Sequence, residues 1–436
     1  MVCEPSLYAK ITQILPIMPR FLYTLVLYCL LPLALLRLLW RARRQPAYLR
    51  NVGERFGWYR QPPMHESLIW LHAVSVGETR ATAPLIALLR QRYPGHRILL
   101  THSTPTGRAA GKQLYGDDVM RCYLPYDLPG AMARFLAHFR PQVGLLMETE
   151  LWFNLIAACA RENIPLLLVN ARLSAKSALG YTRIGRLTEQ GLRMLSAVAA
   201  QTEADALRLR ALGATEALVM GNLKFDVAPP PATHEAGVEL RSLFDDGRPV
   251  FLAASTRDGE EAMILDAVRQ AAIPDLLTII VPRHPQRFGE VAALLEKRGV
   301  AYILRSAWQT GSHPEVLLGD SMGEMFTYYA ACDVAFVGGS LLPYGGQNLI
   351  EACSLAKPVL IGPHTYNFEQ SAELAVADGA AFRVEDVATL AKVLRKLFGD
   401  AGLRKRMSEA ALAFSAEHRG AAEKTVELVG KFIGNA

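Results

Sequence analysis

Residues 333–363 read DVAFVGGSLLPYGGQNLIEACSLAKPVLIGP, an apolar strand that runs into a glycine-rich loop and then into a helix. Glycine lets a backbone approach a ligand closely, and the free N–H groups at a helix start suit an anion. Asn348 opens the predicted helix, and Glu351 lies in its first turn, where a carboxylate could accept hydrogen bonds from sugar hydroxyls. An N-cap at Asn348, with Glu351 complementing the helix dipole, explains the same residues equally well. The stretch therefore predicts a strand–loop–helix unit and leaves a nucleotide site open.

The same alternation extends through most of the chain. Short β-rich runs are followed by segments with a 3.6-residue period, which predicts buried parallel strands joined by crossover helices. The predicted strands are 68–74, 97–103, 143–147, 165–171 and 197–201, then 249–255, 276–282, 301–305, 315–320, 333–339 and 358–363. Pro229, Pro230 and Pro231 interrupt the alternation and mark a linker. We predict an α/β protein with two doubly wound Rossmann-like domains facing across a cleft.

Length, composition and charge agree with this organisation. A chain of 436 residues exceeds one ordinary core, and 51% hydrophobic residues are ample for two. Of the net charge of +6, residues 1–60 hold nine Lys or Arg against Glu4 and Glu54, a balance of +7 that leaves −1 for the rest. The positive charge is thus a property of the N-terminus, which argues against a nucleic-acid partner.

An apolar run of sixteen uncharged residues, 21–36, precedes Arg37 and a cluster of arginines. As a helix it would be roughly 24 Å long, short of a hydrocarbon core of about 30 Å unless Arg37 snorkels. A single-pass anchor, an interfacial helix and a buried helix are all compatible with this length. Arginines instead of a small-residue cleavage site disfavour a signal peptide, and the basic flank favours membrane attachment with the body on the cytoplasmic side.

Metal and disulfide chemistry find no support in the sequence. No two of the six cysteines form a C-x-x-C pair, so reduced core residues are expected at Cys3, Cys29, Cys122, Cys159, Cys332 and Cys353. No metal-ligand spacing and no D-x-D triplet occur. The segment GRAAGK at 107–112 lacks the spacing of a P-loop. We expect no cofactor and no metal.

Candidate acids follow two of the predicted strands in the first half. Glu78, in SVGET, lies where a helix begins at the carboxyl edge of a parallel sheet, so its carboxylate could act as a general base. Spacing alone favours a different interpretation, a helix-start carboxylate that complements the dipole. Glu148 and Glu150 end another strand in the same way; one could orient a substrate hydroxyl while the other caps.

Candidate anion-binding residues follow strands in the second half. Arg283, in the turn VPRHP, is held between prolines and could pair with phosphate, although a surface arginine is the ordinary alternative. Ser255 and Thr256 precede a helix with an acidic first turn, which fits capping as well as anion contact. Gly323 permits close approach in another strand-to-helix turn, and Met325 could touch a base. The histidines near strand ends, His72, His102 and His364, are better interpreted as packed or hydrogen-bonded side chains.

Taken together, these motifs resemble those of the 3-deoxy-D-manno-octulosonic acid (Kdo) transferases of bacterial lipid A assembly, which are GT-B glycosyltransferases. The resemblance runs from about Tyr48 to the C-terminus. Its motifs, in family order, are YLRNVGERFGWY, WLHAVSVGET, THSTPTGR, YLPYD, METELWFN, NARLS, GNLKFD, VPRHPQRF, GDSMGEM, VGGSLLPYGGQNLIEA and IGPHTYNFEQ. Members often carry His where Gln347 stands and Pro where Leu349 stands, so a role for that histidine is not carried over.

The resemblance implies an inverting transfer of Kdo from CMP-Kdo to the primary hydroxyl of the distal glucosamine of a lipid A precursor, lipid IVA. It makes Glu78 the proton acceptor, against the spacing argument. It implies CMP contacts at Pro282, Arg283, Gly323, Glu324, Met325, Asn348, Leu349, Ile350 and Glu351, while Glu148, Ser255 and Thr256 remain candidates for orienting substrate. It also implies attachment to the cytoplasmic face of the inner membrane.

The predicted domains are an N-terminal membrane-associated helical segment at 1–47, an acceptor domain at 48–228 and a CMP-sugar donor domain at 229–436, whose last helix could cross back to the first domain. Two other functions stay open. A nucleotide-sugar epimerase shares the two-domain form and needs no anchor. A membrane-tethered nucleotide-sugar-binding module would keep its function without Glu78.

Overall fold

The computed structural model describes residues 19–60, 62–244, 247–308 and 311–434. The start of the predicted N-terminal segment and Cys3 lie outside these ranges. Contacts divide the chain into two compact units. One comprises the residues up to Asp226 together with those from Arg419 onward, and the other is Val227–His418.

The first unit is a parallel sheet with helices packed on it. Its strands are β1 (Leu68–His72), β2 (Arg97–His102), β3 (Met120–Tyr123), β4 (Val143–Met147), β5 (Leu166–Ala171), β6 (Ala197–Ala200) and β7 (Ala217–Val219). Its helices are α1 (Arg20–Arg44), α2 (Val76–Ala81), α3 (Ala83–Arg92), α4 (Pro105–Tyr115), α5 (Pro129–Phe139), α6 (Phe153–Arg161), α7 (Ala175–Thr182), α8 (Gly185–Met194), α9 (Glu203–Ala211) and, from the end of the chain, α18 (Ala421–Gly430). Short 3₁₀ helices lie at Pro46–Leu49, Val52–Phe56 and Leu223–Phe225.

The second unit repeats the plan. Its strands are β8 (Val250–Thr256), β9 (Leu277–Pro282), β10 (Tyr302–Leu304), β11 (Val316–Leu318), β12 (Val334–Val337), β13 (Val359–Ile361) and β14 (Ala381–Arg383). Its helices are α10 (Thr233–Ser242), α11 (Glu260–Ala271), α12 (Phe288–Lys297), α13 (Met325–Ala331), α14 (Ile350–Ser354), α15 (Glu369–Ala377), α16 (Val387–Gly399) and α17 (Ala401–Glu417). Short 3₁₀ helices lie at Pro285–Arg287 and Arg305–Ala307.

The strand orders place a ligand-binding edge in each unit. The first sheet runs β3-β2-β1-β4-β5-β6-β7, and the second runs β10-β11-β9-β8-β12-β13-β14. The order reverses beside β1 and β4 in one and beside β8 and β12 in the other, and open α/β sheets bind ligands at the carboxyl ends of such strands. The predicted α/β class with two Rossmann-like sheets is confirmed. The strands β3, β7 and β14 lie outside the predicted set.

The central strands are buried on both faces, as expected for parallel strands covered by helices. Every residue of β1 and β4 is buried, from Leu68 to His72 and from Val143 to Met147. Trp70 on β1 is fully enclosed, and its indole N–H donates to Thr101 Oγ1 on β2 at 2.8 Å. Four of the cysteines, Cys122, Cys159, Cys332 and Cys353, are free and buried, whereas Cys29 is exposed on α1.

Helix α1 is apolar and mostly exposed. It is the one helix among the described residues that is long and apolar enough to cross a membrane, a test that a core helix or a signal sequence can also pass. Its first turns are fixed to the body of the first unit. Tyr23 Oη donates to Asp127 at 2.8 Å, Thr24 Oγ1 donates to Asn154 Oδ1 at 3.0 Å, and the rings of Tyr23 and Phe153 meet edge to face at 5.3 Å.

Candidate active site

Glu78 lies just beyond the carboxyl end of β1, in the first turn of α2. Ser75 is the N-cap, and its hydroxyl accepts from the Glu78 N–H at 3.2 Å. The Glu78 carboxylate turns back and accepts from the Val74 N–H at 2.9 Å. The helix-start geometry expected from spacing is therefore present. The side chain is nevertheless only 9% exposed, which a simple surface cap does not require.

The surroundings of Glu78 raise its pKa. Burial is the largest cause and lifts the pKa from 4.5 to about 7, with a smaller contribution from the charges of Glu148 and Glu150. The hydrogen bonds from Val74 and Ser75 oppose this rise. A carboxylate with a pKa near neutral pH is suited to accept a proton in catalysis, because both of its protonation states are accessible.

Glu148 and Glu150 follow β4, the neighbour of β1 in the sheet. Glu148 has a left-handed backbone with φ of 57°, and its carboxylate lies 3.6 Å from the Lys224 ammonium. Glu150 accepts from the Trp152 indole N–H at 2.6 Å, and burial raises its pKa. The structure thus brings the three predicted carboxylates to one sheet edge. Lys224, in the GNLKFD motif, is a partner that sequence reasoning missed.

The two histidines of this edge are packed side chains, as predicted. His72 is fully buried with Nδ1 2.9 Å from Thr101 Oγ1, and burial lowers its pKa to about 3. His102 Nδ1 lies 3.1 Å from the Ala73 carbonyl, and burial lowers its pKa to about 4. Neither imidazole is protonated near neutral pH. Unlike these two histidines, Glu78 has a pKa near neutrality.

In the second unit, Arg283 follows β9 at the sheet edge. Its backbone N–H donates to the Thr256 carbonyl at 3.0 Å, and its Nε donates to Gln347 Oε1 at 3.1 Å. The Gln347 amide oxygen thus fixes the orientation of the guanidinium. The sequence identified Gln347 only as a departure from the motif that the resemblance rests on, and not as a partner of Arg283.

A second arginine lies beside Arg283. Arg257 stacks on Tyr344, with the guanidinium carbon 4.8 Å from the ring centroid, and its Nη1 lies 2.9 Å from His284 Nε2. Burial lowers the pKa of His284, and the charges of Arg257, Arg283 and Arg287 lower it further. The neutral form of the imidazole is therefore favoured, and its Nε2 can accept from Arg257. The positive charge of this edge is carried by guanidinium groups, which suit phosphate.

The glycine loop after β12 is arranged differently from the sequence expectation. The buried Glu260 carboxylate accepts from the N–H groups of Gly339 at 2.6 Å, Ser340 at 2.9 Å and Leu341 at 3.0 Å. Glycine is required at position 338 because a Cβ there would lie 2.6 Å from the Ser255 carbonyl oxygen. An internal carboxylate thus already uses the N–H groups of this part of the loop, so they do not serve as donors to an anionic ligand.

The remaining predicted residues lie on two turns. Glu324 occupies the N-cap position of α13 without a side-chain capping hydrogen bond, beside Gly323, which has φ of 89°. Its carboxylate lies 3.5 Å from Arg305. Asn348 accepts from the Ile350 N–H at 3.1 Å and donates to Glu351 Oε1 at 3.3 Å. The Asn348 side chain thus stabilises the turn before α14, but the N-cap position of that helix is Leu349 and not the predicted Asn348.

Burial limits how several predicted residues could touch a ligand. The side chains of Leu349 and Ile350 face the core, so only their backbone could reach one. Thr256 is also buried, and its hydroxyl donates to Glu261 at 2.7 Å, whereas Ser255 is half-buried with φ of 56°. Within the described ranges, no group of three or more His, Cys, Asp or Glu side chains could hold a metal ion.

Comparison with known proteins identifies the family. A sequence model of the family described as 3-Deoxy-D-manno-octulosonic-acid transferase (kdotransferase) matches residues 50–227. A 3-deoxy-D-manno-octulosonic acid transferase of Bordetella pertussis is 45% identical, with 96% of this chain and 100% of the relative covered. That of Haemophilus influenzae is 37% identical, with 95% and 99% covered.

Solved structures support the fold. A glycosyltransferase from Rickettsia africae ESF-5 superposes with a TM-score of 0.57 at 15% identity, over 86% of this chain and 100% of that one. A UDP-GlcNAc 2-epimerase from Neisseria meningitidis bound to UDP-GlcNAc gives 0.53 at 16% identity, over 84% and 100%. At such identities these neighbours share the fold alone. With its two Rossmann-like sheets and its full-length transferase relatives, the chain belongs to the Kdo transferase family of GT-B glycosyltransferases.

Proposed function

We propose that this enzyme transfers Kdo from CMP-Kdo to the primary hydroxyl of the distal glucosamine of a lipid A precursor, lipid IVA, with inversion at the anomeric carbon. The observation that carries the proposal is the buried Glu78 carboxylate, whose pKa of about 7 suits a general base. Transferase activity itself follows from the family.

On the acceptor side, the Glu78 carboxylate takes the proton of the attacking hydroxyl. The acceptor oxygen then forms a bond to the anomeric carbon while the bond from that carbon to the CMP phosphate oxygen breaks. The bonding electron pair leaves with CMP. Glu148, held near Lys224, orients the sugar hydroxyls around the attacking one.

On the donor side, Arg283 stabilises the charge that grows on the departing phosphate. Its hydrogen bond to Gln347 fixes the guanidinium before the reaction, so little reorganisation is needed at the transition state. Arg257 adds a second positive charge nearby. The other proposed CMP contacts are Pro282, the turn of Gly323, Glu324 and Met325, and the turn from Asn348 through Leu349 and Ile350 to Glu351. Ser255 and Thr256 are the proposed substrate-orienting residues of this unit. No metal or cofactor is part of the proposal.

Helix α1 attaches the enzyme to the cytoplasmic face of the inner membrane in this proposal. The contacts of Tyr23 with Asp127 and of Thr24 with Asn154 hold the first turns against the body of the first unit. A helix tied to a folded body in this way favours an interfacial position over a free span. Arg37, Arg41, Arg43 and Arg44 then suit an anionic surface.

The test is mass spectrometry of lipid IVA after incubation with purified enzyme, Kdo, CTP and a CMP-Kdo synthetase that makes the labile donor. The expected product carries one or more added Kdo masses, and CMP is released in equal amount. Unchanged lipid IVA in the presence of verified CMP-Kdo would refute the proposal. Anomeric configuration of the product by NMR decides between inversion and retention.

A further inference from the structure

A cavity of about 300 Å³ lies where helix α1 meets the body of the first unit. One wall is the helix, and the other is built by residues that follow β3 and β4. The lining residues are Tyr23, Leu27, Leu30, Leu31, Ala34, Tyr126, Asp127, Leu128, Leu151 and Trp152. None of these residues belongs to the proposed reaction centre.

The cavity offers a ligand almost only apolar contact. Among the described residues that line the cavity, Asp127 is the one charged residue. Its carboxylate already accepts from Tyr23 Oη at 2.8 Å, from the Asn154 N–H at 3.0 Å and from the Leu155 N–H at 2.8 Å. The Trp152 indole N–H is likewise used by Glu150. Because the polar groups of Tyr23, Asp127 and Trp152 are satisfied within the protein, an apolar occupant is favoured over a polar one.

The position of the cavity connects the apolar helix to the catalytic carboxylates. Trp152 lines the cavity and donates to Glu150 at 2.6 Å, and the charge of Glu150 helps to raise the pKa of Glu78. On the other side, Leu30 of α1 is 48% exposed, so the cavity lining continues to the apolar surface of the helix. A hydrocarbon chain that enters along α1 would therefore end at Trp152, whose indole holds Glu150, a carboxylate whose charge acts on Glu78.

We propose that this cavity is a binding site for one acyl chain of the acceptor, an inference that rests on the proposed lipid acceptor. A cavity of about 150 Å³ accommodates benzene, so twice that volume holds roughly a dozen carbon atoms of a chain. A chain covalently part of the acceptor explains why the site adjoins the Glu78 cluster, which a bulk membrane lipid does not need to reach. Drawing one chain out of the leaflet lifts the sugar hydroxyl toward Glu78.

The first test fills the cavity. In Ala34→Phe a ring replaces a methyl group on the cavity wall, and its matched control is Leu33→Phe, one residue away and 61% exposed outside the lining. Each buried methylene changes affinity about fourfold, so displacing two of them raises KM for lipid IVA about 16-fold in Ala34→Phe. Leu33→Phe keeps the wild-type KM. The KM for CMP-Kdo stays at the wild-type value in both variants.

A shortened acceptor series separates this inference from the proposed function. In the wild type, KM rises about fourfold for each methylene removed from the bound chain, and this dependence is lost in Ala34→Phe. If the wild type transfers no Kdo to any acceptor, the proposed function fails. If it transfers Kdo but the two variants share one KM and one chain-length dependence, the cavity assignment is overturned while the proposed function stands.

A second measurement does not depend on turnover or on a stable variant. Wild-type enzyme is irradiated with lipid IVA that carries a diazirine at the end of its acyl chains, and labelled peptides are mapped by mass spectrometry. Labelling of Leu27–Ala34 or Leu151–Trp152, competed by unlabelled lipid IVA but not by phosphatidylethanolamine vesicles, is expected. Equal competition by the vesicles, or labels confined to other segments, would overturn the assignment to an acceptor chain.

Discussion

Replacing Glu78 by Gln separates its two possible roles. Gln keeps the length of the side chain and an oxygen that can accept from the Val74 N–H, so the start of α2 is preserved. It removes the negative charge and the ability to take a proton. If Glu78 only caps the helix, Glu78→Gln keeps the transfer activity. If Glu78 is the general base, Glu78→Gln loses it.

The expected loss of kcat in Glu78→Gln follows from the contribution that a general base makes to the rate. General base catalysis contributes about 10²–10⁴-fold to the rate, so kcat of Glu78→Gln falls by about that factor. The KM for CMP-Kdo is expected to remain near the wild-type value, because Glu78 lies in the first unit and the proposed donor contacts lie in the second.

The expected change in stability has the opposite sign. The pKa of Glu78 is raised from 4.5 to about 7, so above pH 7 its ionisation costs the folded state up to about 3 kcal/mol. This cost is absent below pH 4.5, where the group is protonated in both states, and grows between the two values. Glu78→Gln should therefore unfold at a higher temperature than the wild type at pH 8, and the difference should vanish near pH 4.

The assay combines initial rates of CMP release with thermal unfolding followed by circular dichroism, both across pH 4–9. In the wild type, kcat/KM should fall about tenfold for each pH unit below about 7, because the base becomes protonated. Turnover of Glu78→Gln within a factor of ten of the wild type, or a lower unfolding temperature at pH 8, would refute the assignment of Glu78 as a buried general base.

Four further outcomes are expected. Glu150→Gln removes a charge that raises the pKa of Glu78, so the acid limb of the pH–rate profile should move to lower pH. Arg283→Lys loses the oriented guanidinium, so KM for CMP-Kdo should rise about 10- to 100-fold while KM for lipid IVA stays constant. Glu260→Ala leaves several buried N–H groups unpaired and should lower the free energy of unfolding by at least about 3 kcal/mol in urea titrations. Excess EDTA should leave the transfer rate unchanged, and loss of activity restored by a divalent cation would contradict the metal-free mechanism.

The fold was accessible from the sequence because its central strands are long, apolar and regularly spaced. The strands missed by periodicity are short or less regular at the sheet margins: Ala217–Val219 and Ala381–Arg383 have three residues each, and Met120–Tyr123 begins with two half-buried residues. Length alone does not explain the difference, because Val316–Leu318 and Val359–Ile361 also have three residues and were predicted. Those two strands are buried throughout, whereas Ala217–Val219 and Ala381–Arg383 have one buried residue each.

The positions of the site residues were accessible, but their hydrogen bonds were not. Strand ends predict which side chains share a sheet edge, and this brought Glu78 and Glu148 together correctly. The pairing of Glu260 with the loop after β12 joins residues about 80 positions apart, which no local pattern encodes. The contact of Arg283 with Gln347 is likewise tertiary, since the partners are 64 positions apart in the sequence.

The two interpretations of Glu78 are compatible once burial is included. Hydrogen bonds from Val74 and Ser75 alone would stabilise the carboxylate and lower its pKa, as in an ordinary helix cap. They also hold the side chain in one orientation, which a base needs in order to meet a hydroxyl. Burial and the charges of Glu148 and Glu150 act against the cap and restore affinity for the proton. The cap thus supplies orientation and the environment supplies basicity, so a motif that spacing assigns to helix capping can serve proton transfer without any change in its local geometry.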